Sequence, residues 1–129
     1  LAEALLKVQH ESKLWYQVTD QGDRYGNYLE TSGSAMFAYA FAKGYNKKYL
    51  PEKYKTIAAD IFNSLVKQHT EIDGLGRLHL INTCGSAGLG NEPYRTGTFE
   101  YYVSEAIRTD DPHGVGPFIM AGVEISEFK

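Results

Sequence analysis

Two adjacent carboxylates, Asp110 and Asp111, are the residue type that general acid–base catalysis uses. They stand in the segment Asp-Asp-Pro-His-Gly at positions 110–114. Aspartate side chains cap turns and proline fixes the bend of the chain. The pattern therefore favours a turn over a catalytic pair.

Metal and phosphate chemistry find little support in the sequence. The four histidines, at positions 10, 69, 79 and 113, lack the spacing typical of metal ligands. The glycine-rich segment 85–90 resembles a phosphate-binding loop only superficially, because it lacks the dinucleotide-binding spacing and a following lysine. Its glycines favour close packing within a long loop. Cys84 has no basic neighbour in sequence, which favours an inert thiol. We therefore expect no metal site and no cofactor.

Composition excludes several classes of protein. The chain has 129 residues, 43% of them hydrophobic and 13% aromatic, which suits one domain with one core. Its formal net charge of -3 provides no basic excess for nucleic acid. The longest apolar run, residues 35–42, is too short to cross a membrane. A single cysteine excludes an internal disulfide and leaves the cellular compartment open.

The apolar spacing predicts helices of two kinds. Exposed amphipathic helices are expected over residues 1–11 and 51–69. Enclosed helices are expected over 35–42 and 115–125; in the first of them, hydroxyl side chains of the segment 31–34 would cap the start. Short extended segments and long loops fill the rest: extended at 14–18, 78–82 and 99–103, polar or glycine-rich at 19–27 and 83–97, and a turn at 109–114.

The alternation of exposed and enclosed helices suggests a two-layer ring of helices. Four helices cannot enclose the helix at 35–42 by themselves, so we expect its far side to be covered by further chain or by a partner subunit. Residues 1–8 have the pattern of a helix interior, which leads us to expect that the sequence is a piece of a longer chain.

Five separated motifs resemble the C-terminal part of the unsaturated rhamnogalacturonyl hydrolases, glycoside hydrolase family 105. They are LWYQV at 14–18, GNYLETSGSAMF at 26–37, AGLG at 87–90, PYRTGTFEYY at 93–102 and DPHGVGPF at 111–118. They occur in the family's order and extend over nearly the whole sequence.

The resemblance implies an all-α fold: the C-terminal third of an (α/α)6 barrel, with short β segments in long loops. Residues 1–129 would be a C-terminal fragment of one such glycoside hydrolase domain. Family members remove a Δ4,5-unsaturated galacturonyl residue from the non-reducing end of pectin-derived oligosaccharides. The partners implied are that unsaturated oligosaccharide and the rest of the barrel, with no nucleic acid and no membrane.

In the family, an aspartic acid is thought to protonate the C4=C5 double bond and to activate the water that adds at C5. The hemiketal so formed opens and expels the remaining sugar, unlike ordinary glycoside hydrolysis with two carboxylates. That aspartate lies upstream of the segment seen here, so no catalytic residue is assigned in this chain. We expect the fragment alone to be inactive and the complete protein to be an enzyme.

The loops that enter the inner helices of such barrels line the pocket, and this position marks candidates for the pocket wall. They are Trp15, Tyr16, Glu30, Tyr94, Arg95 and His113. Aromatic faces suit the C–H surface of a sugar, and an arginine can bind a uronate carboxylate with two hydrogen bonds.

Each candidate also has a structural interpretation. Trp15 and Tyr16 would equally serve as packing between helical layers. Arg95 would equally tie a long loop to a carboxylate such as Glu100 or Glu105. A second hypothesis for the whole chain is a non-catalytic carbohydrate-binding or assembly module derived from such a barrel.

Overall fold

The computed structural model describes residues 1–129 and is dominated by helices. Five α-helices are present: α1 (Ala2–Lys7), α2 (Thr31–Asn46), α3 (Lys53–Gln68), α4 (Phe99–Ser104) and α5 (Pro112–Ser126). Six strands of two or three residues lie in the connecting loops: β1 (Trp15–Tyr16), β2 (Leu29–Glu30), β3 (Thr70–Ile72), β4 (Leu78–Leu80), β5 (Thr83–Cys84) and β6 (Ile107–Arg108). The predicted all-α class with short β segments is confirmed.

Helix α2 is central because small residues allow its neighbours to approach closely. Ala35, Ala38 and Ala42 are fully buried where α2 packs against α3 and α5. Ala121 of α5 is also fully buried in this core. Alanine loses little side-chain entropy on burial, so close packing here costs little.

Helix α3 has the amphipathic pattern that the sequence predicts. Tyr54, Ala58, Ile61 and Leu65 recur at intervals of three or four residues and are all buried. The opposite face of the helix is exposed to solvent. Helix α3 is therefore an outer helix that covers one side of α2.

The other side of the α2 and α5 pair remains open. Met36 of α2 and Ile119, Met120 and Val123 of α5 are exposed apolar residues. These side chains form an apolar surface that the rest of the chain leaves exposed. None of the five helices combines the length and the hydropathy that a bilayer crossing requires.

Three two-stranded antiparallel ribbons connect the helices, pairing β1 with β2, β3 with β4, and β5 with β6. The pair β5–β6 joins residues more than twenty positions apart, with Thr83 opposite Arg108 and Cys84 opposite Ile107. This ribbon brings the long glycine-rich loop next to the segment that precedes α5.

Several predicted boundaries are wrong. The strand expected at 99–103 is helix α4, because the Thr98 hydroxyl accepts a hydrogen bond from the backbone N–H of Tyr101 and starts a helical turn. The first helix ends at Lys7 rather than near residue 11. Helix α2 begins four residues earlier than expected, and helix α5 begins at Pro112, whose fixed φ suits the first turn.

Candidate functional site

The start of α2 is built around the carboxylate of Glu30. Its Oε1 atom accepts hydrogen bonds from the backbone N–H and the hydroxyl of Ser32, at 2.9 and 2.8 Å. Its Oε2 atom accepts from the backbone N–H of Gly33 at 2.6 Å. Oε1 also accepts from the backbone N–H of Cys84 at 2.9 Å, which ties β5 to this helix. Glu30 is buried, so its oxygens are occupied by the fold.

The start of α5 is built around the carboxylate of Asp111, whose side chain is 5% exposed. Oδ1 accepts from the backbone N–H of His113 at 3.0 Å and lies 2.8 Å from Nδ1 of the same residue. Oδ2 accepts from Nη1 of Arg108 at 3.2 Å. The His113 backbone N–H, then the His113 ring and Arg108, lower the pKa of Asp111. Asp111 thus holds two basic side chains next to one helix start.

Both of those basic side chains reach the surface. The side chain of Arg108 is 56% exposed and that of His113 is 64% exposed. The β5–β6 ribbon lies between them and Glu30, through the contact of Cys84 with Glu30. One ribbon therefore connects the predicted candidates Glu30 and His113. Glu30 is buried in the fold, whereas His113 is open to solvent.

Arg95 and Tyr94 lie at the outer end of the glycine-rich loop. Tyr94 is 72% exposed. The Arg95 Nε donates to the carbonyl oxygen of Gly90 at 3.1 Å, and Arg95 forms no ion pair. The prediction that Arg95 binds a carboxylate such as Glu100 or Glu105 is wrong, since Glu100 binds Arg24 at 2.6 Å instead. The Arg95 guanidinium remains available to an anionic ligand.

Trp15 and Tyr16 are positioned by the fold. Trp15 is 1% exposed, and its ring packs against Phe37 and Phe41 with centroid distances of 4.9 and 6.5 Å. Its Nε1 donates to the carbonyl oxygen of Leu5 at 2.8 Å. Of the two alternatives for Trp15, packing between layers is the one the structure shows, since no face of the ring is open to a sugar.

Tyr16 is half-buried against Gly22 and makes an edge contact with His10, at 5.2 Å between ring centroids. A β-carbon at Gly22 would lie 2.5 Å from the Tyr16 ring. Close packing thus accounts for one face of this ring.

Sequence reasoning missed Arg108, His79 and Tyr28. Arg108 is brought to Asp111 by the long-range pairing of β6, for which the local sequence has no signal. His79 lies 2.6 Å from Asp110 and 3.3 Å from Asp73, and the hydrogen bonds that Asp110 and then Asp73 accept from its ring raise the pKa of His79.

The hydroxyl of Tyr28 is buried without a hydrogen-bond partner, and burial raises its pKa. The thiol of Cys84, which accepts from Gln17 Nε2 at 3.2 Å, is buried and free of disulfide. No group of three or more His, Cys, Asp or Glu side chains is placed to hold a metal ion.

The pKa values of several carboxyl groups in this chain are shifted in the same direction. Six have a pKa that clearly departs from the usual value, and all six are lowered: Glu3, Asp73, Glu100, Asp110, Asp111 and Glu124. In each of these six groups, hydrogen bonds to the carboxylate favour its charged form.

Comparison with known proteins agrees with this structure. The family model for Glycosyl Hydrolase Family 88 matches residues 1–129. Protein Atu3128 of Agrobacterium fabrum is 37% identical over 130 residues, covering 96% of this chain and 56% of that protein. The chain thus spans about half the length of this curated relative.

Two solved structures match the fold. A family 105 glycoside hydrolase from C. acetobutylicum is 44% identical, with a TM-score of 0.95 over 98% of this chain and 36% of its own. A possible family 105 member from Salmonella enterica is 28% identical, with a TM-score of 0.73 over 97% of this chain and 29% of its own.

These matches confirm the resemblance to family 105 and place the helices described above as part of an (α/α)6 barrel. That the matched part is the C-terminal third, and that residues 1–129 form a fragment of one domain, stay predictions. The chain belongs to Glycosyl Hydrolase Family 88 and shares the fold of the solved family 105 glycoside hydrolases.

Proposed function

We propose that the complete protein containing this chain removes a Δ4,5-unsaturated galacturonyl residue from the non-reducing end of pectin-derived rhamnogalacturonan oligosaccharides. The observation that carries the proposal is the agreement with the C. acetobutylicum family 105 hydrolase, at a TM-score of 0.95 and 44% identity. Five motifs at separate positions support the same family.

The oligosaccharides proposed here carry uronate carboxylates along their length, and this chain exposes groups that suit such carboxylates. Arg95 has no carboxylate partner, and His113 and Tyr94 are open to solvent. A guanidinium binds a carboxylate through two parallel hydrogen bonds, and a tyrosine ring packs on a sugar face. We assign these three residues to the pocket wall.

The reaction we propose is hydration followed by elimination. A proton adds at C4 of the double bond and the hydroxyl of water adds at C5. The C5 hemiketal then opens, and the remaining sugar leaves from C1 with a proton. In family 105 the aspartic acid that supplies the first proton lies upstream of the motifs that this chain matches. We therefore place this acid outside residues 1–129 and expect these residues alone to be inactive.

The test is loss of the ultraviolet absorbance of the C4=C5 double bond. The complete protein is incubated with unsaturated oligosaccharides made by lyases from galacturonate-containing rhamnogalacturonan (galacturonyl substrates), with others made by lyases from glucuronate-containing polysaccharides (glucuronyl substrates), and with saturated controls. The terminal unsaturated uronate is the same residue in both sets, because the double bond removes the stereocentre at C4, and the sets differ in the anomeric linkage and in the neighbouring sugar. We expect consumption of the galacturonyl substrates and release of a shortened oligosaccharide. Consumption of glucuronyl substrates alone would contradict the substrate assignment, and no consumption of either would contradict the activity.

A non-catalytic carbohydrate-binding module is the second candidate. It is favoured by one observation, that no position of this chain matches the catalytic aspartate motif of the family. A module of this class would bind the same oligosaccharides without consuming the double bond. Binding measured by calorimetry beside the absorbance assay separates the two candidates.

A further inference from the structure

Two arginine side chains lie directly on two glycines of one loop, residues 85–88. A β-carbon at Gly85 would lie 2.6 Å from Nε and 2.9 Å from Cζ of Arg108. A β-carbon at Gly88 would lie 2.6 Å from Cζ of Arg95 and closer still to its Nη1. Any larger residue at either position would displace a guanidinium group. The two glycines therefore leave the space in which the guanidinium groups of Arg108 and Arg95 lie.

This convergence is not a consequence of a generally basic surface. Arg95 and Arg108 are the only Arg or Lys residues between positions 78 and 128, a stretch that contains seven Asp and Glu residues. Both nevertheless pack on the same four-residue loop. They approach it from opposite directions along the chain: Arg95 follows the loop, and Arg108 reaches it through the pairing of β6 with β5.

Both guanidinium groups retain unused donors. An arginine has five N–H donors in a rigid planar fork. Arg95 donates through Nε to Gly90, and its Nη1 and Nη2 have no hydrogen-bond partner. Arg108 donates through Nη1 to Asp111, while its Nε and Nη2 have none. Glu92 and Glu105 line the surface near Arg95, but neither forms an ion pair with it.

The two positions suit a ligand with more than one negative group. Gly88 follows Gly85 by three positions, so their Cα atoms lie at most about 11 Å apart. An oligosaccharide with two uronate units is the ligand class that this upper bound suits. Tyr94, exposed beside Arg95, offers a ring face to the sugar between the carboxylates.

We propose that loop 85–88, with Arg95 and Arg108 held on its glycines, is a binding subsite for a uronate carboxylate beyond the terminal unsaturated sugar. This assignment rests on the proposed function and narrows it to substrates that carry at least two uronates. Asp111 acts here as a positioning residue, since it fixes Nη1 of Arg108 without reaching the ligand itself.

The test is calorimetric binding of saturated trigalacturonate to the complete protein, a measurement that does not depend on turnover. Variants R95Q and R108Q should each raise the dissociation constant about tenfold, because each removes a hydrogen-bonded charge pair. R95K should not restore the affinity, since an ammonium cannot lie flat on Gly88 and bind bidentately. G88A should weaken binding in the same direction with every charge retained.

The matched control is R77Q. Arg77 is exposed and bound to Asp73 at 2.7 Å, on a different ribbon, so its loss should leave the dissociation constant within about twofold. A neutral trisaccharide of galactose should bind the wild type and R95Q equally.

Trigalacturonate binding that is unchanged in both R95Q and R108Q would overturn the subsite, even if the protein consumes unsaturated substrates. Arginine-dependent binding in a protein that consumes no double bond would leave the subsite standing and overturn the proposed function instead. The two proposals therefore fail separately.

Discussion

The starts of α2 and α5 use the same device with different results. Each helix is capped by a buried acidic residue, Glu30 or Asp111, that accepts a backbone N–H of the first turn. Both carboxylate oxygens of Glu30 accept hydrogen bonds from backbone N–H groups, and one also accepts from the Ser32 hydroxyl. Asp111 divides its oxygens between the helix and two side chains, Arg108 and His113, that remain exposed.

The difference shows how one capping position supports either the fold or a site. The donors around Glu30 are neutral and belong to the fold. They occupy both carboxylate oxygens, so the α2 start offers no free acceptor to a ligand. Around Asp111, the lowered pKa of the carboxyl group and its ion pair with Arg108 make the α5 start sensitive to pH and salt, and Arg108 and His113 present oriented side chains to solvent. Four predictions test this contrast.

The largest effect is expected where the α2 start meets the core. Trp15 lies opposite Glu30 in the β1–β2 pair and is enclosed by Phe37 and Phe41. Replacing it with alanine should lower the free energy of unfolding by about 4 kcal/mol, because a large buried aromatic leaves a cavity. Urea unfolding of the complete protein measures this. The control Y25A changes a fully exposed ring and should leave stability unchanged; an equally small loss in W15A would show that Trp15 is not part of the core.

The second largest effect is expected for Glu30, the residue that caps α2. Glu30→Ala removes a helix cap and leaves the buried N–H of Cys84 without an acceptor, a loss of about 3 kcal/mol in unfolding free energy. Glu30→Gln should lose less, since one acceptor oxygen remains. The exposed Glu11 has no side-chain partner, and Glu11→Ala is the matched control. A Glu30→Ala protein as stable as Glu11→Ala would contradict the structural role.

Asp111→Asn should change the acid response more than the stability at neutral pH. Because the folded pKa of Asp111 lies below its unfolded value, its contribution is present above about pH 4 and is lost as pH falls further. The wild type should therefore lose its advantage over the variant as urea unfolding is repeated from pH 7 down to pH 3. A difference that stays constant with pH would show that the charge of Asp111 is not engaged.

The smallest effect concerns His79, which joins the β3–β4 ribbon to the segment before α5 through Asp110 and Asp73, with Arg77 also on Asp73. Its folded pKa is raised, so its contribution is complete below about pH 6 and is lost as pH rises through the raised pKa. The thermal midpoint of the wild type should therefore fall toward that of His79→Gln between pH 6 and about pH 9. Parallel curves for the two proteins would contradict this.

Local patterns predict the helices well and their contacts poorly. The apolar spacing of α3 and the small residues of α2 are sufficient to identify both helices. The cap at Glu30 is missed because Thr31, Ser32 and Ser34 look equally suitable, and only the tertiary contact with Cys84 selects Glu30.

Contacts between distant segments explain the remaining errors. Residues 99–103 are aromatic and β-branched, which favours a strand, but Thr98 caps them into helix α4. The partner of Arg95 is mispredicted because Arg24, far away in sequence, takes Glu100 and packs 3.7 Å from the centroid of the Phe99 ring. The resemblance to a family supplies what these local rules lack, namely the arrangement of these helices as part of an (α/α)6 barrel.

The most direct test of the proposed activity is the reaction of the complete protein with an unsaturated rhamnogalacturonan tetrasaccharide, which carries two uronates, in D2O, followed by nuclear magnetic resonance. Hydration of the double bond predicts loss of the vinyl proton signal and deuterium at C4 of the released sugar. A released sugar that keeps its double bond would show attack at the anomeric carbon and would contradict the account.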